Sequence, residues 1–283
     1  MSARHPYSEK EALLTSKHKK LSLVAPHFQE RCGLAIREVS LDTDRFGTFA
    51  GEVERVGTPL ETAIKKARFG LENTDFLIGL ASEGSIAPDY LIPFVQSDIE
   101  IMVLVDTEND IIISEVHRSF DITAVSKTVG LNEDLTEFLH SADFPNHHLI
   151  VQPNESEDGQ ILKGIETFSQ LKEAITLAAD ASTDNQVRIQ SDLRAHHSPS
   201  RQKNISEAAR LLALRVGSLC PDCSIPGWGL KDYSRGLSCS ACSLSLPNAI
   251  HREILGCVKC AHTRLGSVVA TEADPASCPH CNP

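Results

Sequence analysis

The stretch from Asp42 to Ser85 reads DTDRFGTFAGEVERVGTPLETAIKKARFGLENTDFLIGLASEGS, an acidic glycine-rich loop followed by a helix and a strand. The helix is predicted to begin at Thr58, since threonine is a good N-cap and Pro59 suits the first helical position. The strand, Asp75 to Leu80, is predicted to end in the turn ASEGS. Carboxylates gathered with basic residues and glycines suit a magnesium–phosphate site, because Mg²⁺ shares oxygen ligands with substrate phosphates.

The candidate metal ligands in this stretch are six of its carboxylates, at Asp42, Asp44, Glu52, Glu54, Glu61 and Glu83. Glu61 has a simpler alternative explanation, a capping box with Thr58 three residues earlier. Glu83 follows an apolar strand, where backbone donors could also satisfy it. A carboxylate buried there without a partner would be costly. We therefore expect Glu83 to bind Mg²⁺ together with Glu61, Asp42 or Asp44.

A basic cluster, Lys17-His18-Lys19-Lys20, follows a predicted strand at Glu11–Ser16 and precedes a helical pattern that stops at Gly33. Backbone N–H groups and the helix dipole favour anions at such a position. The cluster therefore predicts contacts with phosphate, and the alternative is a solvated run of lysines.

A second polar cluster lies between a predicted strand and the helix that follows it, at Asp192, Arg194, His196 and Arg201. Open α/β sheets bind ligands at strand ends, whereas the simpler alternative is a helix cap with surface charges. We expect this cluster to line the same cleft as Glu61 and Glu83. Arg194 would hold a phosphate with both arms of its guanidinium group, which lysine cannot do as well. His196 would be a general acid or a hydrogen-bonded core residue.

Eight of the nine cysteines form four C-x-x-C pairs near the C-terminus, at Cys220/Cys223, Cys239/Cys242, Cys257/Cys260 and Cys278/Cys281. Two such pairs complete a tetrahedral zinc site, so eight thiolates predict two Zn²⁺ ions. We expect sequential sharing, with the first two pairs on one ion, while a cross-braced pairing stays open. Both sites have a full set of ligands and are therefore structural, and they would staple a segment with few large apolar groups.

Length and composition predict a soluble protein of two domains. The 283 residues are 41% hydrophobic and 23% charged, as in ordinary globular proteins. We expect an α/β domain at residues 1–217 and a zinc-binding domain at 218–283. No apolar run suits a membrane helix and the start lacks an apolar signal region, which favours the cytoplasm. The net charge of -11 disfavours nucleic acid as a partner.

Nearly the whole chain resembles an uncharacterised bacterial family, a domain of unknown function. The shared segments are LDTDRFGTFAGEVER, GLASEGS, FPNHHLIV, KGI, SDLRAHHSPSR and CPDCSIPGWG with GLSCSACSLSLP. The resemblance supplies no activity.

Residues 11–210 also resemble, more distantly, the inosine and xanthosine triphosphate pyrophosphatases. The segments ETAIKKA, ASEGS and TSKHKK stand where that family has its acidic helix, acidic turn and phosphate-binding loop. The resemblance implies a mixed-sheet α/β fold and a homodimer. It also implies that Lys17, Lys20 and Lys66 contact phosphates and that Glu61 and Glu83 hold Mg²⁺. The chain departs from the family pattern at Lys17 and Thr62, where the family has asparagine, and it keeps one carboxylate in the turn.

These observations lead to two hypotheses for function. The first is a metal-dependent phosphohydrolase that acts on a nucleotide or a related small-molecule phosphate, with zinc in a structural tail. The second is a ligand-sensing or binding module without catalysis, whose zinc ribbons dock a protein or nucleic acid. Because a related fold can serve another task, the site residues must decide between them.

Overall fold

The structure, a computed structural model, describes residues 4–47, 53–156 and 159–283. Gly51 and Glu52 of the predicted acidic loop lie outside the described residues. The α-helices are α1 (Leu21–Cys32), α2 (Pro59–Glu72), α3 (Thr136–Ser141), α4 (Phe168–Asp180) and α5 (Pro199–Val216). The strands are β1 (Glu11–Thr15), β2 (Ala35–Val39), β3 (Ile78–Pro88), β4 (Gln96–Asp106), β5 (Ile111–Ser119), β6 (Ser126–Gly130), β7 (Leu149–Pro153), β8 (Leu162–Ile165), β9 (Gln186–Ser191), β10 (Gly229–Ser238), β11 (Ser245–Gly256) and β12 (Thr263–Val268).

The first sheet is mixed and has five strands in the order β2-β1-β3-β4-β5. Strands β2, β1 and β3 are parallel, whereas β3, β4 and β5 run antiparallel to their neighbours. Helices α1 and α5 cover one face with a large apolar cluster that includes Phe28 and Leu212. Helix α2 covers the other face, where Ala63 and Ala67 pack against Val103. Because helices pack on both faces of this sheet and successive strand residues point to opposite faces, both sets of side chains are buried.

The second sheet is antiparallel, with strands in the order β6-β9-β7-β8. Its core is separate from that of the first sheet and contains residues of α3 and α4, among them Phe138 and Leu171. Helix α4 begins with a capping box between Thr167 and Gln170. The described chain is therefore a mixed α/β protein with mixed strand directions, as predicted.

The C-terminal segment forms a third sheet of three antiparallel strands, β10-β11-β12. It is attached to the first sheet, because Ile225 and Val258 pack against the apolar cluster beneath α5. At the same junction Arg215 of α5 donates a hydrogen bond from its Nε to the carbonyl of Gly227 over 3.3 Å. The segment therefore has an apolar contact and a hydrogen bond with the α/β body, the described chain before residue 218.

Two local predictions have different outcomes. Helix α2 begins as predicted, with Thr58 as N-cap. The strand predicted at Asp75–Leu80 is wrong in its extent, because β3 continues through ASEGS to Pro88 and pairs with β4 along its whole length. A hydrophobicity pattern does not predict this continuation, because the added residues include polar ones. Glu83 lies inside the strand and not at its end.

No helix in the described part of the chain combines the length and the apolar character needed to cross a bilayer.

Candidate anion-binding cavity and cysteine clusters

A cavity of about 680 Å³ lies between the first and second sheets. One wall comes from the loop after β1, from α2 and from β3. The opposite wall includes Ile150 and Gln190 of the second sheet, and the segment before α5 closes one side. Its volume falls in the range of small-molecule sites, about 300–1,000 Å³. The cavity therefore has room for a ligand larger than a phosphate ion.

Basic side chains dominate the charge of this cavity. Among its described lining residues, two are carboxylates, Asp44 and Glu83. The lysines and arginines that line it are Lys17, Lys20, Arg55, Lys66, Lys163, Arg194 and Arg201. Since the whole chain has a net charge of -11, this concentration of positive charge is local. A cleft of one sign focuses the field and attracts ligands of the opposite sign.

Lys20, the residue before α1, is buried at 6% exposure. Its Nζ donates a hydrogen bond to the Ser82 hydroxyl over 2.8 Å. Within the described residues, no carboxylate oxygen lies within 4.0 Å of that nitrogen. Burial, and then the charge of Arg201, lower the pKa of Lys20 to about 8, although the more distant Glu100 opposes the shift. A buried ammonium group without an ion pair is costly unless a ligand anion supplies the counter-charge.

Glu83 is buried and neutralised by two cations of the protein. One carboxylate oxygen accepts a hydrogen bond from Lys66 over 2.6 Å and the other accepts one from Arg55 over 3.2 Å. Arg55 also donates to the carbonyl of Gly84. The protein therefore satisfies Glu83 without a metal ion.

Glu61 caps helix α2 and does not line the cavity with Glu83. Its carboxylate accepts a hydrogen bond from the backbone N–H of Thr58 over 2.8 Å, and its own N–H donates to the Thr58 hydroxyl over 3.2 Å. Glu61 is exposed and is not among the cavity's described lining residues. These hydrogen bonds are the capping box, and the one from the Thr58 N–H, followed by that with the Thr58 side chain, lowers the pKa of Glu61.

Two of the other acidic candidates, Asp42 and Asp44, contact Lys17. Its Nζ pairs with Asp44 and lies 3.3 Å from an oxygen of Asp42. Asp44 lines the cavity, whereas Asp42 is exposed and is not among its described lining residues. The predicted acidic loop therefore neutralises one lysine of the phosphate-binding candidate segment.

Arg201 is buried under the cavity at 1% exposure. Its Nε donates to Glu100 over 2.6 Å, and its Nη1 donates to the carbonyl of Leu193 over 2.6 Å. A Cβ on Gly84 would stand 2.5 Å from Arg201 Nη2 and 2.6 Å from Glu100 Oε1. Glycine at this position therefore allows an ion pair between β4 and α5 to pass close to β3.

Asp192 positions Arg194. Although burial opposes it, the hydrogen bond from Arg194 holds the pKa of Asp192 below its usual range. The Arg194 Nε lies 2.9 Å from one oxygen of Asp192, and the N–H of Gly164 donates to the other over 3.1 Å. Arg194 lines the cavity, whereas Asp192 is not among its described lining residues. The structure therefore brings Arg194 and Glu83 to one cavity as lining residues.

His196 lies in a row of imidazole rings. Its ring centroid is 5.3 Å from that of His18 and 3.9 Å from that of His197, which is 4.5 Å from His148. Burial, followed by the charge of Lys20, lowers the pKa of His18 to about 3, and burial also lowers the pKa of His196. His18 and His196, the two rings of the row that line the cavity, are therefore largely uncharged at neutral pH and give it an aromatic edge.

Several polar residues in or near the cavity were not indicated by the sequence. Arg55 and Lys163 lay within quoted segments, but nothing in their spacing linked them to β3. Asp98 and Glu100 alternate on β4, which could have shown a polar stripe on an otherwise apolar strand. Ser82 is next to Glu83 in the sequence, but nothing local indicates its contact with Lys20. The contacts of these residues depend on pairing between distant segments, which spacing alone does not show.

The eight paired cysteines form two groups of four, and within each group all four sulfur atoms lie within 4.8 Å of one another. In each group, two Sγ–Sγ distances between cysteines of different C-x-x-C pairs are 3.6 and 3.8 Å. Four sulfurs bound tetrahedrally at about 2.3 Å would lie about 3.8 Å apart. Both groups can therefore hold a metal ion.

The predicted sequential pairing of the cysteines is wrong. The first group contains Cys220, Cys223, Cys257 and Cys260, and the second contains Cys239, Cys242, Cys278 and Cys281. The reason is strand direction: Gly229 at the start of β10 pairs with Gly256 at the end of β11. The first and third C-x-x-C pairs therefore lie at one end of the sheet. The second lies at the other end, where Cys239 bridges to Ala273 after β12.

The backbone geometry is repeated between the two groups. Ser224 and Ser243, each following the second cysteine of a pair, both have a φ of 59°. Each donates its N–H to the carbonyl of the first cysteine over 2.9 Å. This left-handed turn brings the two thiol groups of a pair to the same side. The two sites are therefore built in the same way at opposite ends of one small sheet.

The chain is thus a mixed α/β protein with a cationic cavity and a C-terminal segment whose two tetracysteine groups can hold metal ions. It belongs to the family described as a domain of unknown function, DUF6671, whose model matches residues 66–283. The matched range includes Glu83, Arg194 and both cysteine groups, while Lys17 and Lys20 precede it. Comparison with curated proteins gives no match.

Proposed function

We propose that the cavity binds a phosphorylated small molecule. The observation that carries this proposal is Lys20, a buried amine that lines a cationic cavity and has no carboxylate within 4.0 Å among the described residues. The phosphate of a ligand would provide the missing counter-charge, and Lys66 and Arg194 would add charge-assisted hydrogen bonds. The volume of the cavity leaves space for the organic part of the ligand on the wall formed by the second sheet.

Hydrolysis of the ligand is a second candidate, favoured by the presence of Asp44 and Glu83 in the same cavity. The donor set fits Mg²⁺ poorly. Both carboxylates are already paired with lysines, and Glu61 caps a helix. The cysteine groups are the only sets of three or more metal-ligating side chains gathered among the described residues. Release of inorganic phosphate from a bound compound is the assay that tests hydrolysis.

The proposed relation to the inosine triphosphate pyrophosphatases is supported by the order of elements. A basic loop follows β1, helix α2 carries Lys66, and β3 leads into the hairpin of β4 and β5. The same relation supports a nucleotide as the phosphorylated ligand and a homodimer as the assembly. Calorimetry with a panel of ligands tests whether the ligand is a nucleotide.

Binding is tested by isothermal titration calorimetry with nucleoside mono-, di- and triphosphates, sugar phosphates and pyrophosphate, each with and without Mg²⁺. We expect at least one ligand to bind more weakly as salt rises, because the contacts are ionic. Lys66→Met should weaken binding at least about tenfold, since it removes a cation from the cavity. The matched control is Lys65→Met, the exposed neighbour on α2, which should bind as the wild type does. Equal losses in both variants, or no binding across the panel, would contradict the proposal.

We further infer that the two tetracysteine groups hold zinc. Four thiolates with tetrahedral spacing favour zinc or an iron–sulfur centre. Closed Cys₄ sites of this kind are typical of structural zinc. Elemental analysis of protein purified without chelator should give about two zinc per chain, since eight thiolates make two such sites. Iron, or less than one equivalent of zinc, would overturn this assignment.

A further inference from the structure

The ε-amine of Lys20 has the surroundings of a nucleophilic amine. Lysines become nucleophiles when burial removes water from the amine or when another cation lies near it. Both conditions hold here, since Lys20 is 6% exposed and Arg201 and Lys66 line the same cavity. Its hydrogen bond goes to a neutral hydroxyl, that of Ser82, which does not stabilise the ammonium form as a carboxylate would.

The other two lysines of this wall differ from Lys20. Lys66 forms an ion pair with Glu83 over 2.6 Å, and Lys17 pairs with Asp44. A carboxylate of the protein therefore neutralises each of these two ammonium groups. The pKa of Lys20, in contrast, is lowered to about 8, first by burial and then by Arg201. Roughly a tenth of its amine is therefore unprotonated near pH 7, against far less than a hundredth for an ordinary lysine.

We infer that Lys20 forms a reversible imine with the carbonyl carbon of a phosphorylated aldehyde or ketone that occupies this cavity. The inference rests on the proposed function, because the other cations of the cavity, Lys66 and Arg194 among them, must hold the phosphate for the carbonyl group to remain beside the amine of Lys20. Holding two reactants together in this way raises their effective concentration. The same cavity thus contains cations for a phosphate and an amine for a carbonyl.

The chemistry balances without an oxidant or a reductant. The nitrogen lone pair forms a bond to the carbonyl carbon, and the π electrons of the carbonyl move to its oxygen. Transfer of one proton from nitrogen to oxygen gives a carbinolamine. The hydroxyl group takes up a second proton and leaves as water while the nitrogen lone pair forms the C=N bond, and the remaining N–H proton of the iminium replaces the proton that was taken up. The Ser82 hydroxyl is in hydrogen-bond contact with Nζ and is positioned to pass these protons.

The test is reductive trapping of wild-type full-length protein. Glyceraldehyde 3-phosphate is added with sodium cyanoborohydride, which reduces an imine to a stable secondary amine, and the adduct is located by peptide mass spectrometry. Glyceraldehyde serves as the probe without phosphate, and glycerol 3-phosphate as the competitor without a carbonyl group. We expect one adduct, on Lys20, formed at least about tenfold faster than with glyceraldehyde, because the phosphate positions the aldehyde. Glycerol 3-phosphate should slow it.

Lys20→Arg keeps the charge and removes the reactive amine, so it should abolish the adduct, whereas Lys65→Arg should not change it. If Lys20→Arg fails to fold, the pH dependence of trapping in the wild type decides. Its rate should rise through an inflection near pH 8, the pKa of Lys20, and not near the ordinary value of 10.5. Adducts spread over exposed lysines, or an inflection near the ordinary value, would overturn the inference.

Failure of this inference is distinguishable from failure of the proposed function. If glycerol 3-phosphate or another non-carbonyl phosphate binds in calorimetry and no adduct forms on Lys20, the cavity binds phosphates and Lys20 is only their counter-ion. If no phosphorylated compound binds, both the proposed function and the imine are contradicted.

Discussion

At the scale of single residues, Glu83 distinguishes binding from metal-dependent hydrolysis. Its carboxylate neutralises Lys66 and Arg55, so it competes with a ligand's phosphate for the same cations. Glu83→Gln keeps the shape and removes the charge. We expect phosphate affinity to rise severalfold, on the order of 1 kcal/mol, because like-charge repulsion is removed. Calorimetry with the best ligand from the panel measures the change.

The matched control for this prediction is Glu61→Gln, which alters an exposed carboxylate in a capping box and should leave affinity unchanged. Glu83→Gln should also destabilise the fold by about 1–3 kcal/mol, because it leaves the largely buried Lys66 without its ionic partner. Weaker binding, or loss of Mg²⁺-dependent phosphate release, would instead support Glu83 as a metal ligand.

We expect the charge of Lys20 to lower the stability of the fold and to strengthen phosphate binding. Its pKa is lowered in the fold, so the charged form destabilises the native state. Between its folded value, about 8, and its ordinary value, 10.5, the unfolded chain binds more protons, and stability should rise with pH in that window. Lys20→Met removes the charge and should raise the free energy of unfolding near pH 7 by about 1–3 kcal/mol.

Urea denaturation between pH 7 and about 10.5 tests the Lys20 prediction. The rise in stability with pH should be present in the wild type and missing in Lys20→Met, and phosphate binding should be weaker in the variant. A buried lysine kept at a cost to stability is expected where function requires it. A variant that is less stable at pH 7 and still binds phosphate normally would show that Lys20 supports the fold alone.

At the scale of elements, the ion pair of Arg201 and Glu100 joins α5 to β4 beneath the cavity. Both side chains are almost completely buried. Removing one partner leaves a buried charge, so Arg201→Met or Glu100→Gln should each cost about 3–5 kcal/mol. The double variant should cost less than the sum, because neither charge is then left unpaired. Additive losses in urea denaturation would mean that the two residues act independently.

The same elements show what sequence reasoning can find. The N-cap at Thr58 was predictable because capping depends on residues within one turn of the chain. The hairpin of β4 and β5 was predictable because its strands are adjacent in sequence. The extension of β3 through Ser82 and Glu83 was not, since both residues are polar. Their burial depends on Lys20 and Lys66, which come from a distant loop and from another helix.

At the scale of the whole molecule, the pairing of the cysteines illustrates the same limit. C-x-x-C spacing identifies the ligands, because two residues of one tight turn can contact one ion. Which turns share an ion depends on the direction of β10, β11 and β12. Strands β10 and β11, with 10 and 12 residues, separate the first three pairs in turn by roughly 30–40 Å, since each residue advances about 3.3 Å. Spacing therefore predicts the number of sites but not their composition.

The position of the two cysteine groups gives the last prediction. The first group adjoins the α/β body through Ile225 and Val258, whereas the second lies at the far end of the sheet. Cys220 and Cys239 are matched positions, each the first residue of a pair and each buried. Cys239→Ser should release one metal ion and leave the α/β body as stable as in the wild type.

Cys220→Ser should also release one metal ion, but it should in addition lower the stability of the α/β body by about 1–3 kcal/mol. The reason is that loss of the first site loosens Ile225 and Val258, and burial of an aliphatic side chain contributes about that much. Metal analysis with native-state hydrogen exchange of β4 and α5 measures both effects. Equal protection of those elements in the two variants would mean that the C-terminal segment and the α/β body are energetically independent.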